Sequence, residues 1–491
     1  PAFGTILITG PLLSLAPMAQ ETGVLDQWLI LILSGLLVVT AIGFSTHILL
    51  NKRNPYAAAW WLTLIWFVPV IGMLLYWGFG VNRVARKARK RKKPKVAPGT
   101  PNKRDVPDDL LPLLHAGEHL CPWPLAPNNA IELLRDGDET YPAMLQAIEG
   151  AQKTIGMVTY IFDEDEAGLK FEKALMDAAA RGVKVRLLVD GLGAIGIGPR
   201  LHRTLPKAGG KVASFWPRGR WLKHPGINLR NHRKILVVDG TIGFTGGLNI
   251  SSKHVSRSKT IGPESNDLHF RLRGPVVSHL VEAFLDDWEL ATGEVLKGPN
   301  WFPELPHAGT IMARGFPSGP EFEEAPLHEL LLSAVRTAKK RVDFMSPYFI
   351  PDAALLALMR TASRSGVKVR LVIPKKTDHP FMAWAARAYL PELVACGVDV
   401  WEVAGDFVHA KLAVVDNHWV MFGSANLDNR SFRLNFEFNV EAWSADLARR
   451  VMSYINHYQG RSTKVTRKTL RKEPVAIRLR NQAIKLFSPL L

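Results

Sequence analysis

Cysteine is almost missing from this chain: 491 residues include only Cys121 and Cys396, far apart and without metal-type spacing. A disulfide framework and a thiolate metal site are thereby excluded, and a reducing compartment is the natural setting. Acid is missing from two basic segments. Residues 82–104 carry 11 Lys/Arg and no Asp or Glu, and residues 461–491 carry 9 against the single Glu473. The formal charge of +18 resides in these segments, and the rest of the chain is close to neutral. A nucleic-acid partner would require basic charge over the working face, so none is expected. The placement suits an anionic membrane surface, at about 1 kcal/mol per basic residue near lipid headgroups.

Charge is also missing from two long stretches, Gln27–Asn51 and Tyr56–Gly80. Each exceeds the roughly 20 residues needed to cross about 30 Å of hydrocarbon. Trp28, Trp60, Trp61, Tyr76 and Trp77 lie towards their ends, as interfacial belts do. The expectation is a transmembrane helical hairpin over residues 26–80, making the protein multi-pass. A basic juxtamembrane linker, 81–127, would follow. Lys52 and Arg53 lie between the stretches and 11 basic residues follow, so positive-inside bias places the C-terminal portion in the cytoplasm. The first twenty residues lack a basic n-region and are not read as a signal peptide. Hydrophobic content of 47% excludes disorder as the overall state.

What the chain does have is an internal repeat. KTIGMVTYIFDED (153–165) parallels KRVDFMSPYFIPD (340–352), and RGVKVRLLVDG (181–191) parallels SGVKVRLVIPK (365–375). HRKILVVDGTIGFTGGLN (232–249) parallels HAKLAVVDNHWVMFGSAN (409–426), and DLHFRL (267–272) parallels EFNVEA (437–442). Short β-branched runs alternate with helical stretches that end in Gly, which reads as strand–helix–strand given twice. The expected class is α/β: two similar halves, 128–300 and 327–460, each a mixed sheet flanked by helices. A Pro-rich linker, 301–326, would join them. Like halves pack about a pseudo-two-fold axis, which would bring the matched motifs together. A tail, 461–491, completes the chain, as a basic interfacial helix or a segment packed back on the body.

Each half offers His, then Lys two residues on, then Asp: His232, Lys234, Asp239 and His409, Lys411, Asp416. In a strand, residues i and i+2 face one side, so each His and Lys would enter one cavity. Asp239 and Asp416, at odd spacing, would point away. They complete the catalytic motif but are read as scaffold ahead of a direct chemical role. Downstream, Gly247 and Asn249 match Ser424 and Asn426, and such turns can offer amide donors to a phosphate oxygen. Paired lysines and asparagines form a clamp for a phosphoryl group in its transition state. Two histidines suggest a division of labour: one attacks phosphorus, the other handles the leaving-group proton. Asp267 and Glu437, at matched positions, would orient the histidine rings. No Asp/Glu cluster accompanies the motifs, so no metal and no cofactor is expected.

The two HxKxxxxD motifs resemble those of the phospholipase D superfamily, over nearly all of 128–460. More narrowly, the two apolar N-terminal stretches, LRNHRKILVVDG, FTGGLNI and the chain end LFSPLL are similar to bacterial cardiolipin synthases. The resemblance implies the paired-half fold and a bacterial inner-membrane location. It also implies a reaction in which two phosphatidylglycerol molecules give cardiolipin and glycerol. It makes His232 the nucleophile, forming a phosphohistidine, and leaves His409 as acid/base. One departure is Asn417 where the first motif has Gly240. A phospholipase D-type hydrolase or a transferase using serine, ethanolamine or another alcohol would employ the same residues. A nuclease and a non-enzymatic membrane scaffold are the remoter alternatives.

Overall fold

The computed structural model describes residues 24–52, 55–80, 106–191, 200–215, 229–256, 264–322, 325–405 and 407–487. The first twenty residues, the basic stretch 82–104 and the end of LFSPLL lie outside these. The chain divides into two compact units, Pro1–Val81 and Asn82–Leu491.

In the first unit, helix α1 (Val24–Asn51) is 28 residues long. At 1.5 Å per residue it spans about 42 Å. Among the described residues it alone is long and apolar enough to cross a membrane. The second expected span is not one helix. It divides into α2 (Pro55–Phe67) and α3 (Pro69–Leu75), with a π-helical turn at Tyr76–Gly80. The break falls at Val68, whose φ of −136° leaves the helical region ahead of Pro69. Proline lacks an N–H, and its ring disfavours helical backbone in the preceding residue. Tyr76 closes the unit: its hydroxyl lies 2.8 Å from His47 Nδ1, and its ring packs against Phe44 and Trp61.

The second unit is organised by one continuous sheet of fifteen strands rather than by separate sheets. In chain order they are β1 (Ala126–Arg135), β2 (Thr154–Thr159), β3 (Lys184–Asp190), β4 (Lys211–Phe215), β5 (Ile235–Val238), β6 (Ile242–Gly246), β7 (Leu268–Arg273) and β8 (Ile311–Ser318). Then come β9 (Arg341–Met345), β10 (Lys368–Pro374), β11 (Asp399–Val403), β12 (Leu412–Val415), β13 (Trp419–Gly423), β14 (Glu437–Trp443) and β15 (Ser462–Lys464). The spatial order is β15-β11-β10-β9-β12-β13-β14-β8-β1-β7-β6-β5-β2-β3-β4. Apart from β15, the order runs outward from the β8–β1 junction through repeat-matched strands on either side. β2, β3 and β4 are parallel, as are β9, β10 and β11, while the strands nearer the junction are antiparallel.

Period-two alternation places a core on each face of the first half. Ile155, Met157, Val185, Leu187, Leu236 and Val238 join one apolar cluster with Phe171 and Leu175 of helix Glu166–Ala180. Val158, Leu188, Ile235 and Val237 join the other, with Leu280, Phe284 and Trp288 of helix Val277–Thr292. Helix starts and stops repeat as well. Asp165 and Asp352 each accept a backbone N–H at the start of a crossover helix. Gly182 and Gly366 follow those helices at φ of +92° and +93°, which glycine adopts without steric cost.

Two expected segments need correction. The 301–326 linker contains β8, which pairs with β14 on one side and β1 on the other and so joins the two halves. Within 81–127, the described residues fold onto the body: helix Leu111–Leu120 buries Leu113 and Leu114 completely. At the start of the tail, for which the sequence leaves both readings open, β15 pairs with β11 at the sheet edge.

Candidate active site

Each histidine motif lies at the start of a strand, β5 or β12, and crosses to the other half. His232 N–H donates to Phe436 O at 2.9 Å, and His409 N–H donates to Asn266 O at 2.7 Å. Both carbonyls belong to the residue just before a buried carboxylate, so each ring lies against the opposite half's acid. His232 Nδ1 lies 2.9 and 3.1 Å from the two oxygens of Glu437, and His409 Nδ1 lies 2.7 Å from Asp267 Oδ2. Both carboxylates are wholly buried, whereas the imidazole side chains keep 13% and 10% exposure for His232 and His409. With Nδ1–H given to the acid, Nε2 carries the lone pair.

The lysines fold back on their own histidines. Lys234 Nζ donates to His232 O at 2.8 Å. Lys411 Nζ donates to His409 O and lies 2.9 Å from His409 Nδ1. His409 Nδ1 therefore faces an acceptor and a donor together and can serve one at a time, whereas the contacts of His232 Nδ1 are to the two oxygens of Glu437. Arg233, between the motif residues, points the other way and pairs with Asp287 at 2.7 Å, as strand alternation requires.

The downstream residues fasten the acids. Ser424 Oγ donates to Glu437 Oε2 at 2.6 Å, and Asn435 Nδ2 donates to Oε1 at 3.2 Å. The matched Gly247 has no side chain for a reason: a Cβ there would sit on the Asp267 carboxylate. Asp267 instead takes the Leu268 N–H at 2.7 Å. Asn249 is buried, and its Oδ1 accepts from Ile161 N at 3.3 Å, an arrangement that commits the oxygen and leaves the amide as donor. Asn426 is also buried, its Oδ1 lacks a partner among the described residues, and it borders a small cavity with Lys411, Ser346 and Asn439.

Burial sets the electrostatics. It lowers Lys234 to about 7 and Lys411 to about 8, against the pull of the nearby carboxylates. It lowers His409 to about 4, helped by the Lys411 charge, and it lowers His232, against which Glu437 pulls upward. Burial pushes Asp267 and Glu437 up, but the neighbouring lysine and histidine charges outweigh it and hold both below the usual carboxylate range. The pocket thus pairs two carboxylates with two lysines whose lowered pKa values lie close to neutrality. Among the described residues, no three His, Cys, Asp or Glu side chains are grouped to hold a metal ion.

A family model described as "Cardiolipin synthase, PLD-like domain" matches residues 144–288 and 331–459. The chain is 31% identical over 481 residues to the major cardiolipin synthase of Bacillus subtilis, covering 94% of this chain and 99% of that protein. It is 30% identical over 499 residues to a cardiolipin synthase of Geobacillus kaustophilus, covering 99% of this chain and 98% of that one. The chain belongs to the cardiolipin synthase family. In fold it is similar to the phosphatidylserine synthase of Haemophilus influenzae, with a TM-score of 0.60 and 15% identity over 77% of this chain and all of that one.

The aspartate that closes each HxKxxxxD pattern stands apart from the pocket. Asp239 carboxylate oxygens accept from the backbone of Gln152, Lys153 and Thr154 at 2.7–2.8 Å, and Asp416 accepts from Lys339, Lys340 and Arg341 at 2.8 Å. Each aspartate also opens a hairpin turn whose central residues both have positive φ: Asp239 and Gly240, Asp416 and Asn417. Asparagine tolerates that region, and Asn417 is exposed. Gly240 packs under Trp301 and Pro303, where a Cβ would collide.

Sequence reading passed over Ser424 and Asn435 as supports of Glu437, and over two tyrosines beside the histidines. The Tyr160 ring lies 5.1 Å from His232, and the Tyr348 ring lies 6.3 Å from His409 with its hydroxyl on Asp378. The tyrosines stand one position out of register in the repeat, so the alignment that exposed the motifs concealed them.

Proposed function

We propose that the protein transfers a phosphatidyl group from one phosphatidylglycerol to another, giving cardiolipin and releasing glycerol. The observation that carries this is the crossed arrangement: each histidine is held at Nδ1 by the opposite half's buried carboxylate, so both Nε2 atoms are available. His232, with Glu437 undivided, attacks phosphorus; the P–O bond to glycerol breaks, and protonated His409 gives its proton to the leaving alkoxide. The entering phosphate raises the pKa of His409, which is how a group lowered to about 4 in the empty site becomes an acid. Neutral His409 then takes the proton from the hydroxyl of a second phosphatidylglycerol. The new alkoxide attacks the phosphohistidine, forms cardiolipin and restores His232.

Lys234, Lys411, Asn249 and Asn426 hold the equatorial phosphate oxygens, with the Gly247 and Ser424 turns beside them. No step requires a metal or cofactor. Asp239 and Asp416 act by fixing the hairpins behind the motifs. The two halves, 128–300 and 327–460, pack about a pseudo-two-fold axis, a reading supported by the strand order on either side of the β8–β1 junction. Helix α1, with α2 and α3 as a second pass broken at Pro69, anchors the chain in a bacterial inner membrane, with the catalytic portion cytoplasmic and basic residues 82–104 on anionic lipid.

The test is to incubate detergent-solubilised protein with phosphatidylglycerol alone, in EDTA, and resolve the products by mass spectrometry. Cardiolipin and glycerol are expected. Phosphatidic acid as the sole product would make the protein a hydrolase, and dependence on serine or ethanolamine would change the acceptor.

A further inference from the structure

The C-terminal helix, Val475–Lys485, has two faces. One lies on helix Pro380–Ala395: Arg480 sits over Trp384 at 4.2 Å, Lys485 over Tyr389 at 4.2 Å, and Asn481 is buried. The other presents apolar side chains to the exterior. Val475, Leu479 and Leu486 fall on one stripe at i, i+4 and i+11, and are 66%, 65% and 61% exposed. Phe487 and Phe381 are exposed as well, and Phe381 packs edge-on against Trp384 at 5.2 Å. Isolated exposed apolar residues are ordinary, but a helical stripe of them is not. Exposed Arg471, Lys472 and Arg478 accompany it, in a segment with a single acid. An apolar stripe bordered by basic residues is the composition of a helix that lies in a lipid interface.

Exposed Phe381 stands near a line of contacts that reaches His409. His409 packs on Tyr348 at 6.3 Å, and Tyr348 reaches His379 at 5.8 Å and hydrogen-bonds Asp378. Two residues beyond His379 stands Phe381, then Trp384, then Arg480 of the C-terminal helix. Rings at His409, Tyr348 and His379 thus lead to within two residues of exposed Phe381.

We infer that the outer face of Val475–Lys485, with Phe381, is the surface on which the catalytic body rests on an anionic phospholipid bilayer. Seated there, the pocket receives the phosphodiester of a lipid whose acyl chains remain in the membrane. The link to turnover rests on the phosphatidyl-transfer reading; the docking surface does not.

The full chain, carrying Cys396→Ser and Leu479→Cys, is labelled with a polarity-sensitive fluorophore; Cys121 is buried and does not compete. In vesicles of phosphatidylglycerol and phosphatidylcholine the label is expected to shift to the blue and be quenched by nitroxide-bearing lipids. Vesicles of phosphatidylcholine alone, or high salt, should reduce both effects. A label that stays water-exposed on the mixed vesicles overturns the inference. So does shielding that appears in detergent, without lipid, and grows with protein concentration, which would assign the face to a second copy. In a second arm, Leu479→Glu is expected to slow turnover of vesicle-embedded phosphatidylglycerol about tenfold, the scale of one apolar side chain no longer buried. Turnover of monomeric short-chain phosphatidylglycerol should be unchanged. Equal loss on both substrates would make the helix structural and overturn the docking role. A wild type inactive on both counts against phosphatidyl transfer and leaves the fluorescence to decide the surface.

Discussion

Glu437→Gln removes one charge from the centre of the site while preserving shape. The carboxylate is wholly buried, 2.9 Å from His232 Nδ1, and held by Ser424 and Asn435. As His232 attacks, its ring becomes cationic, and the interaction with Glu437 strengthens only then. Unit charges about 4 Å apart at an effective dielectric near 20 attract by about 4 kcal/mol, while a charged hydrogen bond is worth about 1.5–3 kcal/mol net. Taking about 3–4 kcal/mol as lost from the transition state, kcat should fall about 100- to 1000-fold. The substitution should also move the pH profile. Burial lowers the His232 pKa and Glu437 opposes it, so loss of the charge lets the pKa fall further. Neutral His232 is the reactive form, so the acid limb should shift to lower pH. Steady-state turnover of phosphatidylglycerol across pH, with thermal unfolding as a control, measures both effects. A kcat close to wild type in a folded variant, or an acid limb moving to higher pH, would refute the assignment of Glu437.

Asp416→Ala strips three backbone amides of their acceptor and should cost about 2–4 kcal/mol in thermal or denaturant unfolding, with kcat of the folded fraction little changed. Gly247→Ala should displace Asp267 and lower kcat as Asp267→Asn does, whereas Ser424→Gly, which leaves room for Glu437, should be milder; a kcat comparison of the three variants decides. The lysines must be protonated to hold phosphate, and burial lowers them to about 7 and about 8, so kcat/KM should decline on the alkaline side through that interval. A kcat/KM profile flat from neutrality to well above it would contradict the clamp.

The sequence made the site's composition legible but not its wiring. His232 and Lys234, two apart in a strand-like run that recurs at 409 and 411, could share a face whatever the packing. The exchange of carboxylates could not be read, because it depends on Asn231 bridging Phe436 and on Phe407–Val408 pairing with Ser265–Asn266. Those contacts join segments far apart in the chain, where local pattern carries no information. Composition misdirected in two places. Pro317 and the glycines around it give 301–326 the look of a linker, yet Pro317 sits opposite Phe438 inside the sheet that unites the halves. The apolar run to Gly80 satisfies a length criterion that ignores Pro69, and the helix divides there.

The central claim is tested most directly by trapping the intermediate. His409→Ala lacks both the acid for glycerol departure and the base for the second alcohol, so the donor is a phosphatidyl ester of p-nitrophenol, whose leaving group needs no proton. Brief incubation, followed by alkaline quench, proteolysis and mass spectrometry, should find phosphatidyl mass on the peptide containing His232. His232→Ala should show no adduct and no cardiolipin. An adduct on His409 in the His232→Ala protein, or cardiolipin formation that survives loss of His232, would contradict the account.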